Sequence, residues 1–270
     1  MLMKNNLYLK IVCGCVFLFL VSCSAVKEGI AAYSAPKGFS RFEGNIWIEN
    51  DNNKKFAREI QPILPGLEDS IEAKQFHQFK SAPVIYLCST NESFCKYSGS
   101  KYPGPRAKVT PNGLFVSPRL QGSRDWQKII YHELSHVLMF QHLGKYRYFT
   151  TPLWFHEGLA TYASNGGGTG DVTDSLAIAE ILKGNSFYPH DNFIRSYFAK
   201  NELAPWLAYR QYMLFVEFLK NGREPEFEKM LNSVFAKKSF SRSVKSAYNK
   251  DVSELWAEFL KNLSEASNER

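Results

Sequence analysis

An α+β fold, with a small sheet early in the chain and helices after it, is what this 270-residue sequence predicts. Two observations carry the prediction. Short runs of β-type residues bounded by turn residues lie before Pro118. After Pro118 the pattern changes and reads as almost wholly helical, and strands first with helices after is the α+β order. An apolar share of 44 %, with 15 % aromatics, suffices for a packed body. The length suits one large domain or two small ones sharing a core.

Residues 1–22 read as an export signal. Met1 to Lys10 is short and positive, and Ile11 to Val21 is an apolar run interrupted only by Cys13, Gly14 and Cys15. That run is shorter than the ~20 residues of a spanning helix and has the length of a signal-peptide hydrophobic region. Leu20-Val21-Ser22-Cys23 resembles the bacterial lipobox, which implies cleavage before Cys23 and attachment of lipid to it. By the same resemblance Ser24, in place of an aspartate, implies the outer membrane. The expected location is the bacterial cell envelope, anchored by lipid and facing the periplasm. Residues 23–55, mixed and polar, then form the lipidated cysteine, a tether and an N-terminal segment.

Of five cysteines, Cys13 and Cys15 leave with the signal and Cys23 becomes the anchor. Cys88 and Cys95 remain as a pair in an oxidising compartment, which predicts a local disulfide, with two buried thiols as the alternative. No further Cys or His sits near them at ligand spacing. The formal charge of +7 includes Lys4 and Lys10 of the signal, so the mature surplus is modest. No dense Lys/Arg run marks a nucleic-acid surface.

Along the mature chain, residues 56–79 read as helical, broken near Pro62, Pro65 and Gly66. Pro83 to Cys88 reads as a buried strand, Asn91 to Tyr97 as a short helix and Gly99 to Pro105 as turns. Ala107 to Thr110 and Leu114 to Ser117 read as two strands joined by Pro111-Asn112-Gly113. Ser123 to His142 is a helix with Ser123 as its N-cap and Gly144 as its stop. Thr151 to Ser164 is another, with Pro152 at its start. Asn165 to Gly170 reads as a flexible linker, and helices are expected over 173–183, 204–221, 224–236 and 240–263.

The chemistry concentrates in His132-Glu133-Leu134-Ser135-His136, an H-E-x-x-H pattern. On a helix the two imidazoles lie four positions apart on one face and can reach one ion. Glu133 points along a different azimuth and suits the role of base toward an activated water. Imidazole nitrogen with carboxylate oxygen is a zinc donor set, one ion per chain, with a position left for water. Three residues compete for the third ligand. His142 follows His136 by six positions, but Met139 stands where a glycine would let the chain leave the helix. On a continuing helix His142 is turned by about 240° and displaced by about 9 Å. His156 and Glu157 are neighbours that point in different directions, so one of them at most can bind. His77 and His190 are isolated.

Trp154-x-x-Glu157-Gly158-x-Ala160-x-Tyr162 resembles the glutamate helix of gluzincins, the thermolysin-like and aminopeptidase-N-like peptidases, and is especially similar to bacterial exported proteins grouped as peptidase MA-like. The resemblance covers roughly residues 125–220. It implies a thermolysin-like zincin domain over residues 56–270 with His132, His136 and Glu157 on zinc, and it leaves His156 near the substrate. Ala208-Tyr209-Arg210-Gln211-Tyr212 resembles a later helix of the same proteins, whose tyrosine donates a hydrogen bond to the substrate oxyanion. Tyr209 takes that role by position, with Tyr212 as the alternative. The strand Leu114-Phe115-Val116-Ser117 resembles the edge strand along which such enzymes lay an extended peptide.

The expected function is a zinc peptidase of the envelope acting on peptides or proteins, with Glu133 as base. Two other classes compete with it. One is a zinc-bearing but inactive envelope lipoprotein that acts as a binding or assembly module, and the other is a metal-independent assembly factor.

Overall fold

The computed structural model describes residues 36–191 and 203–268. The signal segment, Cys23 and the first part of the tether lie outside the described residues. The described chain has a small N-terminal mixed sheet followed by a largely helical C-terminal region, the α+β order expected. It divides into two compact units: one runs to Lys54 and resumes over Val84–Leu120, the other comprises Lys55–Pro83 and the chain from Gln121 onward.

The sheet unit holds five strands, β1 (Ser40–Glu43), β2 (Ile46–Ile48), β3 (Ile85–Leu87), β4 (Ala107–Thr110) and β5 (Gly113–Val116), in the order β1-β2-β3-β5-β4. The three central strands are parallel, and the two outer ones pair antiparallel. Register aligns Ile46 with Ile85 and Leu114, and Ile48 with Leu87 and Val116, so one face is a block of buried aliphatics. The alternate positions, Trp47, Tyr86 and Phe115, form an aromatic row on the other face. Tyr86 stacks on the buried Phe115 ring at 4.7 Å, and Tyr97 of the helix α3 (Asn91–Ser98) stacks on it at 6.2 Å. Thr90 and Ser93 start that helix with a reciprocal capping box.

Three expectations change here. β1 and β2 fall inside the stretch read as polar segment, because Ser40–Glu43 is exposed and carries no alternating pattern. β5 is an inner strand, hydrogen-bonded to β3 on one side and β4 on the other. Its backbone is therefore taken, the side chains of Leu114, Phe115 and Val116 are buried, and the edge for an extended peptide along them does not exist. No disulfide joins Cys88 and Cys95. Cys88 ends β3 inside a cluster with Phe94 and Phe115, where burial pushes its thiol up to about 12, while Cys95 lies on α3 at the margin of that cluster.

In the helical unit, Pro62 and Pro65 divide the first predicted helix into α1 (Lys54–Ile60) and α2 (Leu64–Gln75), joined by a 3-10 turn. There follow α4 (Trp126–Thr150), α5 (Leu153–Ala163), α6 (Asp174–Leu182), α7 (Pro205–Lys220), α8 (Glu224–Phe235), α9 (Phe240–Tyr248) and α10 (Val252–Asn268). The last predicted helix is two, because Asn249 adopts a left-handed conformation (φ 56°) that ends α9. Helix α4 begins after Asp125 and not at Ser123, whose hydroxyl makes no cap bond. Gly144 (φ 68°, ψ 170°) breaks α4 as expected, and the chain then resumes a helical turn to Thr150. Trp154 anchors α5: its ring packs on Phe215 and Phe240, and its indole N–H donates to the His190 carbonyl at 2.9 Å. Lys74 of α2 donates to the Ala163 carbonyl at 2.6 Å, satisfying a group at the C-terminal end of α5. No described helix is long and apolar enough to cross a membrane.

Candidate metal centre

Helices α4 and α5 bring three donor atoms together. The Nε2 atoms of His132 and His136 lie 3.1 Å apart, and Oε2 of Glu157 is 3.2 Å from the first and 3.4 Å from the second. The helical spacing of four supplies the imidazole pair. Gly158 supplies the approach of the carboxylate, because a Cβ there would stand 2.8 Å from the Tyr212 carbonyl of α7. The glycine of Trp154-x-x-Glu157-Gly158 thus exists to let two helix backbones touch, and Glu157 rides on that contact.

These donors fit a divalent cation. A tetrahedral ion with bonds of about 2.0–2.1 Å holds its ligand atoms about 3.3 Å apart, the edge length of this triangle. Three lone-pair-bearing atoms this close repel one another unless protons or a cation lie among them. Both imidazoles are almost fully buried, and their Nδ1 atoms have no hydrogen-bond partner among the described residues. Burial works to raise the Glu157 carboxyl, but the imidazoles of His136 and His132 outweigh it and hold it well below the usual carboxylate range. Burial likewise works to lower His136, and the Glu157 carboxylate reverses that and raises it. The cluster is among the described residues the group of His and carboxylate donors close enough to share one ion.

The other candidates fall into place around it. Glu133 is partly buried, and its charge is felt at His136, Tyr148 and Tyr209. Tyr209 stacks its ring on that of His132 at 6.0 Å, and its phenol is raised far above the usual range first by the Glu157 charge and then by burial. Tyr212 instead packs its ring on Phe187 at 4.6 Å. His142 points away from the triad, with Nε2 against the Gln78 carbonyl at 2.8 Å and its ring on Phe235 and His77. His156 is buried, its Nε2 donating to the Thr151 carbonyl at 2.8 Å and its ring edge-on to His136. Burial pushes it down to about 4, so it is neutral. That placement sets His156 behind the His136 ring, with its Nε2 taken up by the Thr151 carbonyl.

Two features were not read from the sequence. Tyr148 lies in the turn after Gly144, 6.2 Å from the His136 ring and 4.8 Å from that of His156, with its phenol raised by burial and by Glu157 and Glu133. A tyrosine between two metal motifs was the available signal, but the break at Gly144 removed any helical register that would have placed it. The second is Asn165–Gly170, which is not a flexible linker. Gly166, Gly167 and Thr169 are buried; Gly166 N–H donates to the Thr161 carbonyl and Gly167 N–H to the Ser164 hydroxyl, each at 2.9 Å. The loop packs directly against His132 and Tyr209.

The chain as described is thus an α+β protein with a buried His132/His136/Glu157 cluster suited to a metal, in keeping with a zincin-type fold in general. No protein-family model matches the chain, and no curated protein matches it.

Proposed function

We propose that this protein is a zinc-dependent peptidase of the gluzincin type, exported and held at the bacterial envelope by lipid on Cys23, and that its catalytic domain begins near residue 56. The observation that carries the reading is the triangle of His132, His136 and Glu157 donor atoms with Glu133 beside it. Zinc bound by those three residues would supply Lewis-acid polarisation of a carbonyl and a lowered pKa for water. The chain's own residues do the rest. Glu133, exposed enough to meet solvent, takes a proton from the attacking water and hands it to the leaving amine. Tyr209, kept protonated by the neighbouring carboxylates, donates a hydrogen bond to the carbonyl oxygen as it gains charge. Tyr148, kept protonated by burial and the same carboxylates, offers a second donor from the side of His136.

The test is the purified lipid-free chain, assayed for metal by mass spectrometry and for cleavage of an unbiased peptide pool with and without chelator. About one zinc per chain and chelator-sensitive cleavage are expected. Zinc without cleavage would leave the inactive binding module, and less than about half an equivalent of zinc would remove the metal site.

A further inference from the structure

We propose that Arg210 is a positioning residue for this reaction, fixing the Tyr209 ring against the metal triad by latching the loop that joins α5 to α6. The inference rests on the peptidase reading above. The loop fills the space beside a metal ligand and the phenol. A Cβ on Gly167 would stand 2.5 Å from the Lys128 carbonyl and 3.0 Å from Cβ of His132. One on Gly168 would stand 3.0 Å from Cδ2 of Tyr209 and 3.6 Å from Cε1 of His132. Gly168 therefore lies against both rings, which are nearly parallel at 12° with centroids 6.0 Å apart.

Such a wall needs something to stiffen it. Gly166, Gly168 and Gly170 all sit at positive φ. The loop's own hydrogen bonds (Gly166 N–H to the Thr161 carbonyl, Gly167 N–H to the Ser164 hydroxyl, the Thr169 hydroxyl to the Gly166 carbonyl) hold it to α5 and to itself but do not tie it to α7. Arg210, the residue after Tyr209 on α7, supplies the grip. Its Nε donates to the Val172 carbonyl at 2.8 Å, its terminal nitrogen pairs with Asp174 at 3.2 Å, and its guanidinium lies 3.2–3.4 Å from where a Gly166 Cβ would be. One helix thus abuts the middle of the loop with Tyr209 and ties its far flank, at Val172 and Asp174, with Arg210. An arginine fork can make these contacts together, whereas a lysine point charge can make one of them. A partly exposed Arg–Asp pair adds little stability by itself, so an effect on turnover reports placement.

The experiment compares Arg210→Gln, Arg210→Lys, Tyr209→Phe and the double variant Tyr209→Phe/Arg210→Gln in the full exported chain. It reads zinc content, kcat, KM and amide exchange over residues 164–172, the last in zinc-free protein as well. Arg210→Gln should keep its zinc and its KM, lose about tenfold in kcat and exchange faster in the loop, with Arg210→Lys recovering part of the loss. In the Tyr209→Phe background the same change should alter kcat less than about twofold. Equal losses in both backgrounds, unchanged loop exchange, or loss of zinc from Arg210→Gln would each overturn the proposal. A wild type with no turnover would overturn the peptidase reading instead, and loop exchange would still report whether Arg210 is the latch.

Discussion

The two units of this protein bury different things. In the sheet unit the buried side chains are mostly aliphatic or aromatic, and its buried polar groups are paired: Asn53 donates to the Cys88 carbonyl, and the Ser93 hydroxyl donates to Glu49 at 2.6 Å. The helical unit buries three imidazoles, two of them within 3.4 Å of a carboxylate. All five buried side-chain polar atoms without a hydrogen-bond partner among the described residues belong to it, namely Gln75 Oε1, Ser123 Oγ, His132 Nδ1, His136 Nδ1 and Thr161 Oγ1. Each such atom costs about 1–3 kcal/mol relative to a paired one. Three of the five sit on the ligand imidazoles or on α5 one turn beyond Glu157, so the unpaired groups concentrate where the donor triangle lies.

The sharpest way to break that comparison is to separate chemistry from folding. Glu133→Gln should lower kcat/KM by about a thousandfold while zinc content and unfolding midpoint stay at wild-type values, the scale expected for losing a general base. Retained cleavage in that variant would remove Glu133 from the mechanism. The converse belongs to the sheet unit. Phe115→Ala deletes a fully buried ring that stacks on Tyr86 and Tyr97 and should cost about 3–5 kcal/mol in denaturant unfolding, with one zinc still bound per folded chain. Loss of zinc from the folded fraction would show that the sheet unit is not purely structural.

How much of this was legible in the sequence follows the same division. His132 and His136 could be read because helical spacing converts separation into direction, whereas Glu157 was set apart from His156 by the resemblance of Trp154-x-x-Glu157-Gly158 to the gluzincin glutamate helix. Met139 and the continuing helix correctly turned His142 away. Strands β1 and β2 were missed because Ser40–Glu43 is exposed and Ile46–Ile48 is only three residues long, so no alternation builds up. β3, β4 and β5 were each read as strands, with β4 and β5 joined by a turn, but the parallel pairing of β5 with β3 was not, since register and strand order are set by pairing partners far along the chain. Asn165–Gly170 was misread because glycine signals freedom in composition, whereas here it admits close approach of backbone to His132 and Tyr209.

Gly158→Ala sharpens the contrast at an intermediate scale. Its new methyl would meet the Tyr212 carbonyl at 2.8 Å and Cγ2 of Val216 at 3.0 Å, so α5 and α7 must part. A loss of about 2 kcal/mol is expected from this overpacking, and because Glu157 and Tyr209 ride on the separated helices, zinc affinity should fall with stability. A variant that loses stability but binds zinc as before would mean that the carboxylate is placed independently of the helix contact.

The smallest expected effect is the most direct test of the unpaired atoms. Thr161 lies one turn beyond Glu157 on α5, fully buried, with Oγ1 lacking a partner while its carbonyl accepts the Gly166 N–H. Thr161→Val keeps the branched shape and the backbone bond and removes only the hydroxyl. If that oxygen is unsatisfied, its removal should be neutral or stabilising by up to about 1 kcal/mol, with zinc affinity unchanged. Measured destabilisation beyond that, together with weakened zinc binding, would mean that the hydroxyl supports one of the ligand imidazoles. Thr161 Oγ1 and one imidazole Nδ1 would then leave the set of five unpaired atoms, and the location of the site would rest chiefly on the donor triangle.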